Sequence, residues 1–241
     1  MGRRLATLAI ALAVLLTASA SCETALSPGY ETPEDAVRAF CAAFVAGDFD
    51  AAMSACCIEE MADGYDFSAY AEQMGATNVQ TQIAPATSDT YRALNRASLA
   101  GTLALQYKML CYGFLAPDLA LNYTMISKDA ASPDEIEGRL ALENLSDLSL
   151  VRVDPPDKEI LENEKTVKSF AALAACYGAS EMTERVVLWA YGGRGYASGF
   201  MLYRYETGWK VASLVSMIAG FSGYGTPEEV TPADYFAILG E

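Results

Sequence analysis

Residues 191–199 read YGGRGYASG. Three glycines within four residues, with one arginine among them, have the composition of a phosphate-cradling loop. Such a loop works when its glycines end a strand and open a helix, so that the helix N-terminus meets the phosphates. Here the aromatic run FMLYRY follows at 200–205, and the Gly-Lys-Ser/Thr ending of a P-loop is absent. The glycines therefore predict a hairpin turn with positive φ, and Arg194 at its exposed tip. Gly199, inside the next strand, reads as a bulge or a close backbone approach.

The thiols come next: Cys22, Cys41, Cys56, Cys57, Cys111 and Cys176. A nucleophilic cysteine needs a base, and the chain has no histidine, which also removes the commonest metal ligand. The cysteines read as small buried apolar residues. In an oxidising compartment they read instead as a disulfide between Cys41 and Cys56 or Cys57, which consecutive helices would bring together. Such a bridge stabilises by about 3 kcal/mol. The acidic pairs in IEE (58–60) and EILENE (159–164) read as solvated helix faces, and no calcium-loop spacing occurs. No catalytic group, metal or cofactor is expected. What remains is aromatic: Trp189, Tyr191, Phe200, Tyr203, Tyr205 and Trp209 concentrate on the last hairpins. They predict either a sheet core or the wall of a ligand pocket, where several tyrosine hydroxyls could orient a small molecule.

The formal net charge is -15, from 16 basic and 31 acidic residues. A surface this acidic repels phosphate backbones, so no nucleic-acid partner is expected. Residues 1–21 have an export pattern: Arg3 and Arg4, then an apolar run from Leu5 to Leu16, then small residues. That run is too short to span a bilayer comfortably. Two processing routes fit. Ala18-Ser19-Ala20 suits signal-peptidase cleavage and secretion. Cys22 ends the small-residue stretch and resembles the lipidated cysteine of bacterial lipoprotein signals, although Ser19 stands where that family prefers leucine. The lipoprotein reading places the protein in the cell envelope, on the outer face of a membrane, with residues 22–31 as a tether.

The remaining chain predicts a single domain over 32–225 and a tail over 226–241. TPEDAVRAFCAAFVAGD opens with a capping threonine and a first-turn proline, and its apolar residues recur at helical spacing up to Gly47. A second helix starts at Asp48, a third lies near 67–74, and a long one runs from Ser88 to Phe114. Strands are expected at 77–84, 119–127 and 148–154, and a helix at 157–177. TERVVLWAY, YASGFMLYRY and WKVASLVSM then form an antiparallel meander. The order implies an α+β fold, with the N-terminal helices packed on a curved antiparallel sheet. TPEDAVRAFCAAFVAGDFDAAMSAC resembles the opening of NTF2-like proteins, the cone-shaped α+β superfamily, and MLYRYETGWKVASL resembles their final hairpin. The resemblance covers about a quarter of the chain, at its two ends; the interior is longer than usual, and the 157–177 helix is unexplained. It implies an apolar cavity between sheet and helices. The function read from all this is non-catalytic binding of a small apolar ligand, a peptide or an envelope protein. The alternative is an isomerase or hydrolase using tyrosine and carboxylate groups in the cone.

Overall fold

The computed structural model describes residues 28–77, 83–120, 131–221 and 224–241. The export segment, Cys22 and most of the expected strands at 77–84 and 119–127 lie outside the described residues. No described helix is long and apolar enough to cross a membrane.

Helix starts follow the capping residues of the sequence. The Thr32 hydroxyl accepts the Asp35 amide at 3.1 Å and opens α1 (Pro33–Val45), which buries Val37, Phe40, Cys41 and Phe44. Asp48 caps α2 (Phe49–Ser54). A further helix, α3 (Ile58–Gly64), precedes α4 (Phe67–Met74), which Asp66 caps. Ser88 caps the 27-residue α5 (Asp89–Leu115). Leu119 and Ala120 belong to a short helix, α6 (Pro117–Ala120), because Pro117 fits a first helical turn better than a strand entry. Then come α7 (Pro133–Arg139) and a 3-10 turn, Leu142–Asp147. The helix expected over 157–177 is two, α8 (Lys158–Leu161) and α9 (Glu164–Cys176), because Asn163 starts the second with its own cap.

The sheet is antiparallel in the order β1 (Ser149–Asp154), β2 (Glu181–Tyr191), β3 (Arg194–Tyr205), β4 (Gly208–Ser213). The meander is as the sequence predicts. Tyr191 pairs with Arg194 across Gly192 and Gly193, whose φ values are +55° and +76°. Two positive φ angles in a two-residue connection are what a type I′ hairpin requires. A fifth strand, β5 (Glu228–Val230), pairs with Gly195–Ala197, while β4 pairs with Met201–Tyr205 on the same side of β3. Between them Gly199 lets the chain come close: a Cβ there would stand 2.5 Å from the Ser216 nitrogen. The residues beyond 225 are thus part of the domain rather than a tail. Helix α10 (Pro232–Ile238), with a capping box at Thr231 and Asp234, follows β5.

Both faces of the sheet are covered. On one, α1 and α5 form the cone over Val187, Trp189, Tyr196, Phe200, Leu202 and Val211. On the other, α3 and α9 pack over Met182, Tyr203 and Ala212, while Phe221 and α10 pack over Val186 and Ala197. The second layer accounts for the interior that the NTF2-like resemblance leaves unexplained.

The outer edge of β4 is sealed by two crossings. Tyr30 exchanges backbone hydrogen bonds with Trp209 (3.0 and 2.8 Å), so the domain begins within the stretch expected as tether. Farther along, Val211 donates to the Ala55 carbonyl and accepts from the Cys57 amide. The chain passes from one face to the other here. Cys56 joins the cone core and Cys57 the opposite core, as the side-to-side alternation of an extended segment demands.

Candidate functional site

The six aromatic residues expected to line one pocket do not meet. Trp189 and Phe200 are fully buried in the cone, packed edge-on against Phe44 and Phe40 with ring centroids 6.0 and 5.5 Å apart. Phe114 adds edge contacts to Trp189, Tyr191 and Tyr196. The Trp189 indole N–H donates to the Ser198 hydroxyl at 2.8 Å, and the Tyr191 hydroxyl donates to the Asn144 carbonyl at 3.1 Å. These polar groups are satisfied inside the protein, leaving none of them aimed at a ligand. Among the described residues, the cone is packed with its own side chains.

Tyr203 and Tyr205 lie on the opposite face. They are an odd number of residues from Phe200, and a strand alternates. Tyr203 stacks on Tyr177 at 5.5 Å, and Tyr177 meets Tyr65 and Tyr70 at 5.3 and 6.0 Å. Tyr205 donates to the Tyr177 carbonyl at 3.2 Å. Burial pushes the Tyr177, Tyr203 and Tyr205 hydroxyls up from their ordinary value, with neighbouring phenols and thiols adding to it. Phenols so held stay neutral and serve as hydrogen-bond donors rather than bases.

Two buried carboxylates escape a reading of the sequence. Glu60, in the IEE segment expected to face solvent, pairs with Lys210 at 2.5 Å, and both side chains are almost wholly buried. Its second oxygen, Oε2, has no hydrogen-bond partner. Glu184, on β2, is fully buried. It accepts the Ser216 hydroxyl at 2.6 Å and the Met217 and Ile218 amides at 3.1 and 3.0 Å, tying the 216–219 loop to the sheet. A third carboxylate, Asp154, accepts the Tyr235 hydroxyl at 2.9 Å beneath α10. Only Asp154 of these three pairs with a tyrosine, and all three lie on the outer face of the sheet, not in the cone. Only alternation could have hinted at Lys210, which sits between two cone residues, Trp209 and Val211.

The thiols do not bridge. Cys41, Cys56, Cys57, Cys111 and Cys176 are free and buried. Cys57 lies across the sheet from Cys41 and turns its thiol to the Val211 carbonyl, while Cys56, in the same core as Cys41, turns its thiol to the Ala52 carbonyl. Burial raises all of them, Cys111 to about 11. Such thiols are poor nucleophiles near neutral pH.

Open space lies on the outside. A cleft of about 770 Å³ runs past the β3–β4 hairpin, lined by Tyr30, Glu31, Ser180, Arg204, Tyr205 and Thr207. A groove of about 430 Å³ runs beside the start of β2, with Leu161, Val167, Phe170 and Met182 along it and the polar Glu181, Thr183 and Arg185 beside them. There β1 stops pairing at Val186, so among the described residues Glu181–Arg185 has no strand on that side. Val167 is 52% exposed at its rim.

No protein-family model matches the chain, and no curated protein does. Among solved structures, a cystatin-like protein from Ruminococcus gnavus ATCC 29149 superposes on 88% of it with a TM-score of 0.54 and 20% identity. The chain has the cystatin-like α+β fold. It spans less than half of that relative, whose match is 44% of its own length. At this identity the likeness is one of fold.

Proposed function

We propose that this chain is an exported lipoprotein, held at the outer face of a membrane through Cys22, whose domain binds through its outer surface. The observation that carries the reading is the filled cone. The aromatic wall expected to hold a ligand is core, and the apolar space open to a partner is the groove beside Glu181–Arg185. A strand edge next to an apolar floor suits an extended segment of a peptide or envelope protein, with main-chain hydrogen bonds on one side and side-chain contacts on the other. Neither nucleic acid nor a cofactor enters this reading.

A photoreactive residue placed at Val167 in the membrane-anchored chain tests it. Defined adducts are expected from position 167 and not from Met74, an equally exposed site on α4. Saturable uptake of a small apolar molecule with a change in Trp189 emission would overturn it, because Trp189 reports the interior of the cone. Turnover of a substrate by the purified domain would overturn it as well. Replacing Cys22 by alanine tests the anchor: the protein should leave the membrane while export persists. A wild-type protein that is already soluble would refute lipidation in favour of secretion.

A further inference from the structure

We infer that the domain stands on the membrane on its β3–β4 hairpin, with the Gly192–Gly193 turn pointing away; this rests on lipidation at Cys22. The order of the chain and one backbone clamp carry the inference. Gly29 lies directly on the hairpin: a Cβ on it would stand 2.6 Å from the Thr207 carbonyl oxygen, and one on Gly208 would stand 2.6 Å from the Tyr30 oxygen. Neither position has room for a side chain, so the two backbones meet in van der Waals contact. Tyr30 then locks to Trp209 by two backbone hydrogen bonds. The chain is therefore fastened to the hairpin before the first helix begins.

From Cys22 to Gly29 is seven residue steps. A chain of that length reaches at most about 25 Å. A lipid on Cys22 therefore keeps Thr207 within that distance of the headgroups. The tether sets no such limit on the opposite end of β3. Twelve residues separate the two hairpins along β3, which is about 40 Å of strand. Charge decides whether the body lies down or stands off. Glu31, Glu181 and Glu206 surround the clamp, Arg204 is taken up by Glu181, and the whole chain carries -15. Like charge repels an anionic surface within about a Debye length, ~10 Å at 0.1 M salt. The body is pushed outward while the clamp is held in. The 770 Å³ cleft, which shares the clamp's residues, then opens toward the bilayer, and the Gly192–Gly193 turn is presented to the exterior.

The test is energy transfer from a single dye to acceptor-labelled lipid, with mature lipidated chain in vesicles containing phosphatidylglycerol. Dyes go on Thr207→Cys at one hairpin and Arg194→Cys at the other. Thr207 is exposed and Arg194 is 62% exposed, while the native described thiols are buried. Glu206→Cys serves as a second site at the clamped hairpin should Thr207→Cys disturb folding. Transfer from 207 or 206 should exceed transfer from 194 by roughly threefold or more, given the ~40 Å between them. Equal or reversed transfer in a chain that still pellets with vesicles overturns the orientation and leaves lipidation standing. A chain that does not pellet at all overturns lipidation, and the orientation with it.

Discussion

Replacing Lys210 by methionine should cost far more than the loss of one ion pair on the surface. Its ammonium and the Glu60 carboxylate are 2% and 6% exposed and 2.5 Å apart. Methionine has nearly the length of lysine, so packing is largely kept and the electrostatic term dominates. Glu60 would be left as a carboxylate without its cation, with Oε2 already unpartnered. Breaking one side of a buried pair costs about 3–5 kcal/mol, whereas removing both charges is often close to neutral. For a domain of this size that is a fall in Tm of about 10 °C or more. Guanidinium unfolding followed by tryptophan emission should show the loss in the midpoint, with the slope unchanged. Lys210→Met with Glu60→Leu should recover most of it. The exposed Lys168–Glu164 pair, 75% and 82% exposed, sets the contrast: Lys168→Met should change stability by less than about 0.5 kcal/mol. If Lys210→Met were as mild, or the two core substitutions simply additive, the buried-pair argument would be wrong.

Two glycines should respond in opposite directions to alanine. Gly199→Ala drives a methyl into the Ser216 backbone and should cost about 1–3 kcal/mol, whereas Gly101, mid-helix in α5 with nothing within 4 Å of a new Cβ, should gain about 0.5–1 kcal/mol; thermal melts of both variants decide it, and equal signs would contradict the geometry. The buried thiols make stability fall with alkali. Their folded values lie above the ordinary 9.0, so their stabilisation is complete below pH 9 and is lost as pH rises toward the folded values, about 11 for Cys111. Tm should therefore drop between pH 9 and 11, and a flat profile there would show the thiols to be accessible. The described cysteines should also react with Ellman's reagent only as the protein unfolds.

Local signals in the chain were strong where one residue does one job. Thr32, Asp48, Asp66 and Ser88 each announce a helix start by what a short polar side chain does for free amides. The paired glycines at 192–193 announce a hairpin because few other residues accept positive φ. The meander, the α+β class and the close approach at Gly199 follow from such rules. What could not be read depends on which elements touch. Glu60 looks like any acidic residue of an amphipathic helix until β4 brings Lys210 beneath it. Cys56 and Cys57 look like equivalent candidates to face Cys41 until the edge of β4 places them on opposite sides of the sheet. Glu184 looks like a polar interruption of a strand until the 216–219 loop supplies three donors for it. The aromatic wall is the instructive case. Its residues read as a sheet core or as one pocket wall, but Phe200 and Tyr203 differ by an odd step, so parity alone puts them on opposite faces.

That parity divides the aromatic residues between the two faces. A cystatin-like sheet with one bare concave face can enclose a ligand; here the concave face is packed by Phe40, Phe44, Tyr107 and Phe114, and the convex face carries a second layer. Emptying the cone would need several of these rings to leave their edge-on contacts, and each fully buried large side chain stabilises by about 1.5–3 kcal/mol. Opening room for even a small ligand would then use much of the stability a domain has, about 5–15 kcal/mol. Among the described residues, open space lies instead on the outside, and includes the edge of β2 where β1 ends and the cleft beside the hairpin to which the N-terminal chain is clamped. The first has an apolar floor and an open backbone and suits a protein segment. The second is lined by Glu31 and Glu206 beside Arg204 and is the more polar of the two.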